Sequence, residues 1–107
     1  MDEISIQFVP ETSQDSEFAR VDLINKQDER VGRAHCLIER DQFTIYLISI
    51  HPEYERRGYA GSFVNYAKKK YSTVIAAQVE ADDVSFWEKM AFVPDDESNY
   101  IFLNRKK

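Results

Sequence analysis

A single cysteine, Cys36, rules out an internal disulfide, and a reducing cytoplasm is the expected setting. Glycine and proline are almost as scarce, with three of each, so each one marks a turn or an unusual backbone position. No apolar run approaches the ~18 residues of a membrane span, and Met1-Asp2-Glu3 is not a basic leader, so no membrane association is expected. Basic residues are outnumbered 14 to 19 by acidic ones, giving a net charge of −5. That balance argues against nucleic acid as a partner, which needs a broad cationic face. It suits a cationic or amine-bearing substrate, and it also serves solubility. No metal is expected. Against these absences stand 43% hydrophobic and 13% aromatic residues in 107, enough for one domain, residues 1–107, with a small core. Repeats, linkers and low-complexity segments are lacking.

Alternation and turn residues divide the chain into short elements. Ile4, Ile6 and Phe8 alternate with polar residues, which predicts a first strand over 3–9. Residues 10–17 (PETSQDSE) are polar and breaker-rich, a loop. Strands are expected over 18–25 and 31–40, joined by KQDER, then a two-residue turn at Asp41-Gln42 and a fourth strand from Phe43. Short polar turns imply an antiparallel meander. A fifth strand is expected over 73–80, a short helix over 82–90 with Asp82-Asp83 as its cap, a loop over 94–99 and a last strand over 100–104.

The stretch from Phe43 to Tyr71 is the most informative. Phe43, Ile45 and Leu47 alternate with Tyr46, Ile48 and Ile50, so apolar residues fall on both faces, and a central strand covered on both sides is expected. His51-Pro52 ends it, because proline cannot donate to a ladder. Glu53 to Gly61 forms a basic loop, and Ala60, Phe63, Val64, Ala67 and Tyr71 then recur at helical spacing. A strand, a glycine-containing loop and a helix in this order aim backbone N–H groups and the positive end of a helix dipole at one spot, a phosphate site.

The run I-x-I-H-P-E-Y-x-x-x-G-Y-A resembles motif A of the GNAT superfamily of acyl-CoA-dependent N-acetyltransferases. Of that motif's Q/R-x-x-G-x-G/A pattern, Gly58 and Ala60 match, while Glu55 stands where Gln or Arg is usual. Downstream, Phe86-Trp87-Glu88-Lys89-Met90-Ala91-Phe92 is similar to the family's F-Y-E-K-x-G-F. Both motifs occur in the family's order, and the resemblance spans roughly residues 18 to 105.

The resemblance implies an α/β, GNAT-like fold: a mixed, mostly antiparallel sheet with the motif helix and a second short helix packed on it. It implies acetyl transfer from acetyl-CoA, as cosubstrate, to a primary amine by direct attack. The pyrophosphate would be held by Arg56, Arg57, Gly58, Tyr59, Ala60 and Gly61, and the pantetheine would run along Ile48 and Ile50 between splayed fourth and fifth strands. By the same resemblance, Trp87 is a further expected cofactor contact. It replaces the tyrosine that serves as general acid in the family, which keeps open a different reading, a weakened acyl-CoA-binding module acting through a partner. The candidate bases are Glu80 and His51. His35, Cys36 and Lys68-Lys69-Lys70 are expected to be sheet residues and a solvated helix face. The two helices that the family places between its first and second strands would need roughly 25 residues, and only 10–17 are available. The acceptor side is therefore expected to be open to a large acceptor or completed by another chain, a homodimer being the simplest cover.

Overall fold

Short polar turns leave each early strand beside its sequence neighbour. In a computed structural model, which describes residues 4–10 and 18–104, β1 (Ile4–Pro10), β2 (Phe18–Asn25), β3 (Arg30–Glu39) and β4 (Gln42–Ile50) form an antiparallel meander. The expected 11–17 portion of the first loop lies outside the described residues. α1 (Tyr59–Lys70) crosses the sheet, so β5 (Thr73–Ala76) returns parallel to β4. α2 (Val84–Lys89) follows, and then a hairpin of β6 (Val93–Pro94) and β7 (Tyr100–Leu103), with β7 antiparallel to β5. The seven described strands lie in the order β1-β2-β3-β4-β5-β7-β6. None of the described helices is long and apolar enough to cross a membrane.

β4 differs from its sequence reading in an instructive way. His35 of β3 pairs with Leu47 and Cys36 with Ile45, so Tyr46 is an extra, bulged residue. A bulge shifts the alternation by one. Phe43, Ile45, Ile48 and Ile50 therefore share one face, whereas Tyr46 and Leu47 are each 46% exposed. Apolar residues of both parities reflect this change of phase and not burial on both sides. The helix side of the sheet carries Val21, Leu23, Ala34, Cys36, Phe43, Ile45, Val74 and Ala76, all buried. From α1, Phe63, Val64 and Ala67 close over it, with Phe43 stacked on Tyr71 at 4.9 Å and edge-on to Phe63 at 5.9 Å.

Smaller differences have local causes. α1 begins at Tyr59, which is buried, while Ala60 is only half-buried. The β3–β4 turn is Arg40-Asp41, with Arg40 at φ 42°. Asp82 and Asp83 fall in a 3-10 turn, Ala81–Asp83, and Asp83 makes no side-chain cap to α2. Val93-Pro94, on the margin of the expected loop, pairs with Tyr100-Ile101 as a short strand. Lys68 is not part of the solvated face that Lys69 and Lys70 keep. Its Nζ donates to the Met90 carbonyl at 2.8 Å and lies 4.4 Å from the Phe102 ring centroid, so that α1 is tied to the end of α2, and burial lowers its pKa.

Cys36 sits in the core at 0% exposure, and burial pushes its thiol from 9.0 up to about 12. The folded-state value is raised, so the neutral thiol's contribution to stability is complete below the unfolded value and is lost as pH rises from there through about 12. Iodoacetamide at pH 8 should therefore leave the native protein unlabelled and modify Cys36 once guanidinium unfolds it. Rapid native labelling would contradict the burial.

Candidate functional site

β4 and β5 run together for only four residues. Their ladder begins at Gln42↔Thr73 and ends at Ile45↔Ala76, with a final bond from the Ala77 N–H to the Ile45 carbonyl at 2.9 Å. Beyond it the two chains part for separate reasons. β4 bulges at Tyr46. The chain leaving β5 turns at Gln78, φ 54°, and attaches to the β6–β7 hairpin instead: the Gln78 N–H donates to Asn99 Oδ1 at 3.0 Å and the Val79 N–H to the Ser98 carbonyl at 3.0 Å. Asp95 fixes that hairpin turn, its carboxylate accepting from the backbone N–H groups of Glu97 and Asn99 and from the Asn99 amide. These bonds draw the Asp95 carboxyl below its ordinary range, the one to Glu97 most strongly. The fifth strand is therefore shorter than the expected 73–80, and residues 77–80 border a slot.

Past Ile45, no strand among the described residues pairs with the β5-side edge of β4. A groove of about 540 Å³ fills the gap. Its walls are β4 from Ile45 to Ile50, the segment after β5, the start of α1, and Phe86 and Trp87 of α2.

At the end of β4 the chain makes the loop that the sequence singles out. The His51 N–H is held by the Val31 carbonyl at 2.8 Å, and Pro52–Tyr54 forms one 3-10 turn. Arg56 (φ 67°) and Gly58 (φ 84°) are both left-handed, which turns the chain sharply into α1. α1 has no side-chain cap, and its first backbone bond runs from the Ser62 N–H to the Gly58 carbonyl at 2.9 Å. The N–H groups of Ala60 and Gly61 precede that bond, so no carbonyl of the helix accepts from them. Both residues line the groove, which brings amide donors and the positive helix end to its mouth.

Ile48, Ile50, Arg56, Gly58, Tyr59, Ala60, Gly61, Glu80 and Trp87, nine of the eleven residues singled out from the sequence, border this one groove. The other two, His51 and Arg57, do not. His51 is engaged through its backbone at the head of the 3-10 turn, and the Arg57 guanidinium lies 5.6 Å from the Tyr54 ring centroid. Trp87 is 7% exposed, its ring edge-on to Phe86 and tilted against Phe92, each at 4.9 Å. It is therefore core and groove wall together. Glu80 lies four residues past the end of β5, ahead of the Ala81–Asp83 turn.

Sequence reasoning did not single out Tyr54, Gln78 or Asp83 as groove residues. Tyr54 lines the end of the groove beside the loop that enters α1, and burial, with help from the Glu29 and Glu53 carboxylates, raises its phenol pKa, which keeps it protonated. Phe86, by contrast, opens the second motif and was within reach of the sequence. The groove combines one guanidinium, Arg56, with three carboxylates, Glu55, Glu80 and Asp83, so an anion there would depend mainly on backbone donors.

Neither family models nor curated protein sequences match the chain. Solved structures do match. The spermidine/spermine N-acetyltransferase SpeG of Vibrio cholerae superposes with a TM-score of 0.67 at 17% identity, over 87% of this chain and 68% of that one. A putative acetyltransferase of the GNAT family from Desulfovibrio desulfuricans gives 0.59 at 14% identity, over 82% and 69%. A Bacillus subtilis acetyltransferase solved in complex with CoA gives 0.64 at 12% identity, over 94% of this chain and 99% of that one. The chain has the GNAT fold, as its two motifs implied.

Gly58 also offers a local test of the loop. No atom lies within 4 Å of a Cβ built there, so Gly58→Ala meets strain alone. A left-handed alanine costs about 1–2 kcal/mol, and denaturant unfolding should show a loss of that size with the fold intact. A neutral outcome would mean that the loop relaxes to another conformation.

Proposed function

We propose that this GNAT-fold chain transfers an acetyl group from acetyl-CoA to a primary amine by direct attack. The observation carrying the reading is the groove that runs from the uncapped start of α1 to the slot where β4 and β5 part. An anionic diphosphate suits the first end and an extended thiol arm suits the second. In this reading the amides of residues 56–61, with the Arg56 guanidinium, hold the pyrophosphate, and Arg57, which lies over the Tyr54 ring and off the groove, must swing in to contribute. The pantetheine amides pair with the open edge of β4 at Ile48 and Ile50, as an added strand would, and Trp87 packs against the arm.

The amine nitrogen attacks the thioester carbonyl carbon to give a tetrahedral oxyanion. The oxyanion collapses, the C–S bond breaks, and CoA leaves as thiolate. One ammonium proton must go to a base. Glu80 borders the groove and can take it directly or through water, whereas His51 stands off the groove and needs a longer relay. Trp87 cannot protonate the thiolate. A thiol of ordinary acidity, pKa roughly 8.5, still leaves with help from water, at a lower rate. The same Trp87 supports a second reading, an acyl-CoA-binding module without turnover. A cytoplasmic location belongs to both.

Trp87 is the sole tryptophan, so it reports on both readings. Acetyl-CoA should change its fluorescence and raise the melting temperature, by about 2.7 kcal/mol of added stability at a hundredfold excess over Kd. Gly58→Glu should remove both effects in a folded protein, because a carboxylate enters the phosphate position. A wild type indifferent to millimolar acetyl-CoA would end both readings.

Turnover separates them. With amines and lysine peptides as acceptors, CoA release should proceed above the blank. Trp87→Tyr should then raise kcat, though by less than the roughly 10²–10⁴-fold of a fully effective general acid. Glu80→Gln should lower it. A binding module would release no CoA in either form, and Trp87→Tyr would cost it about 1 kcal/mol of stability and nothing else.

A further inference from the structure

Under the acetyl-transfer reading, one side of the slot is left for the acceptor. The groove lies on the helix side, walled by Tyr59, Phe86 and Trp87. With acetyl-CoA there, the amine must come through the opposite sheet face. Among the described residues no helix covers that face. Leu47 at the slot is 46% exposed, and Val93 and Leu103 are 62% and 56% exposed. Among the described residues, a small free amine would find no enclosing walls here.

The charge beside the slot is distinctive. Register sets His35 opposite Leu47, Arg33 opposite Ser49, and Arg20 of β2 opposite His35. Arg33 and His35 are exposed, and the Arg20 Nε is buried without a hydrogen-bond partner among the described residues. Asp22 lies opposite Arg33 in the β2–β3 register and within 3.8 Å of Arg30, an ion pair too long for a hydrogen bond, so on this face one carboxylate stands among three guanidinium groups. A chain of net charge −5 therefore presents a cationic patch beside its own acceptor entrance. Strands lie about 4.8 Å apart, which puts this patch roughly 10 Å from the slot. In an extended chain at about 3.3 Å per residue, that is three or so positions from an acceptor lysine.

We propose that this face docks an acidic segment of another protein and presents one of its lysines to the slot, so that the acceptor is an acid-flanked protein lysine and not a free polyamine. A second copy of the chain fits less well. Its matching face brings the same cations, which are of the wrong sign to pair with Arg20 and Arg33.

The test is steady-state acetylation of peptides carrying one lysine flanked by Asp/Glu, by Ser or by Arg, with spermidine alongside. The acid-flanked peptide should lead in kcat/KM by roughly tenfold at low ionic strength, and salt should shrink that lead. Arg33→Glu should abolish the preference while the KM for acetyl-CoA stays unchanged. A preference for spermidine, or indifference to the flanks, overturns this proposal and leaves acetyl transfer standing. No transfer to any amine, with acetyl-CoA still sensed by Trp87, removes both. Light scattering that shows a dimer broken by Leu47→Glu makes a second copy the occupant, against the proposal. So does a preference that appears only when Glu11, Asp15 and Glu17 are neutralised together, because the occupant is then the chain's own segment.

Discussion

The parting of β4 and β5 after Ile45 and Ala76 is the constraint on which the rest of this molecule depends. Two adjacent parallel strands would ordinarily continue their ladder, since each bond forgone leaves an amide and a carbonyl to find other partners. Here the bulge at Tyr46 and the reversal at Gln78 end it together, and the hairpin turn stabilised by Asp95 takes up the Gln78 and Val79 amides. The slot is held open by hydrogen bonds made elsewhere, which hold Gln78 in its left-handed conformation at the slot's border.

The packing below the slot explains how so short a chain keeps it open. β2 to β5 and α1 form an apolar block in which Phe43, Phe63, Val64 and Cys36 are fully buried. α1 is anchored at its far end by Tyr71 on Phe43 and by Lys68 on the Met90 carbonyl. Its near end is thereby fixed, and the first-turn amides point at the groove without a cap to satisfy them. A side-chain cap would stabilise the helix and occupy the donors that an anion needs.

The two sides of the sheet divide the work. The helix side supplies the core and the groove. The other side carries Leu47 and Leu103 uncovered, with Arg20, Arg33 and His35 beside the slot. The Bacillus subtilis structure, spanned to 99% by this chain, shows the same fold at a similar length. A GNAT sheet can thus stand in a chain of this size with the connection between β1 and β2 confined to residues 11–17.

The sequence by itself determined the order of every element but the short β6, together with the meander, the crossover helix and the left-handed loop that leads into it. Each follows from local rules: polar turns between apolar strands, Pro52 ending β4, and Gly58 where only glycine is easily left-handed. It also assembled most of the groove, because a strand, a loop and a helix adjacent in sequence meet wherever the chain folds. What it could not supply depends on partners distant in sequence. The bulge at Tyr46 is defined by where β3 pairs, so the alternation over residues 43–50 read as two buried faces. The end of β5 at Ala76 is set by Asn99 and Ser98, more than twenty residues on, and no propensity in TVIAAQVE marks it. Lys68 resembled its neighbours Lys69 and Lys70 until the Met90 carbonyl lay within 2.8 Å of its Nζ. Local sequence sets which elements form, but a hydrogen bond between segments far apart in the chain is decided only when both are in place, and those bonds determine where this site opens.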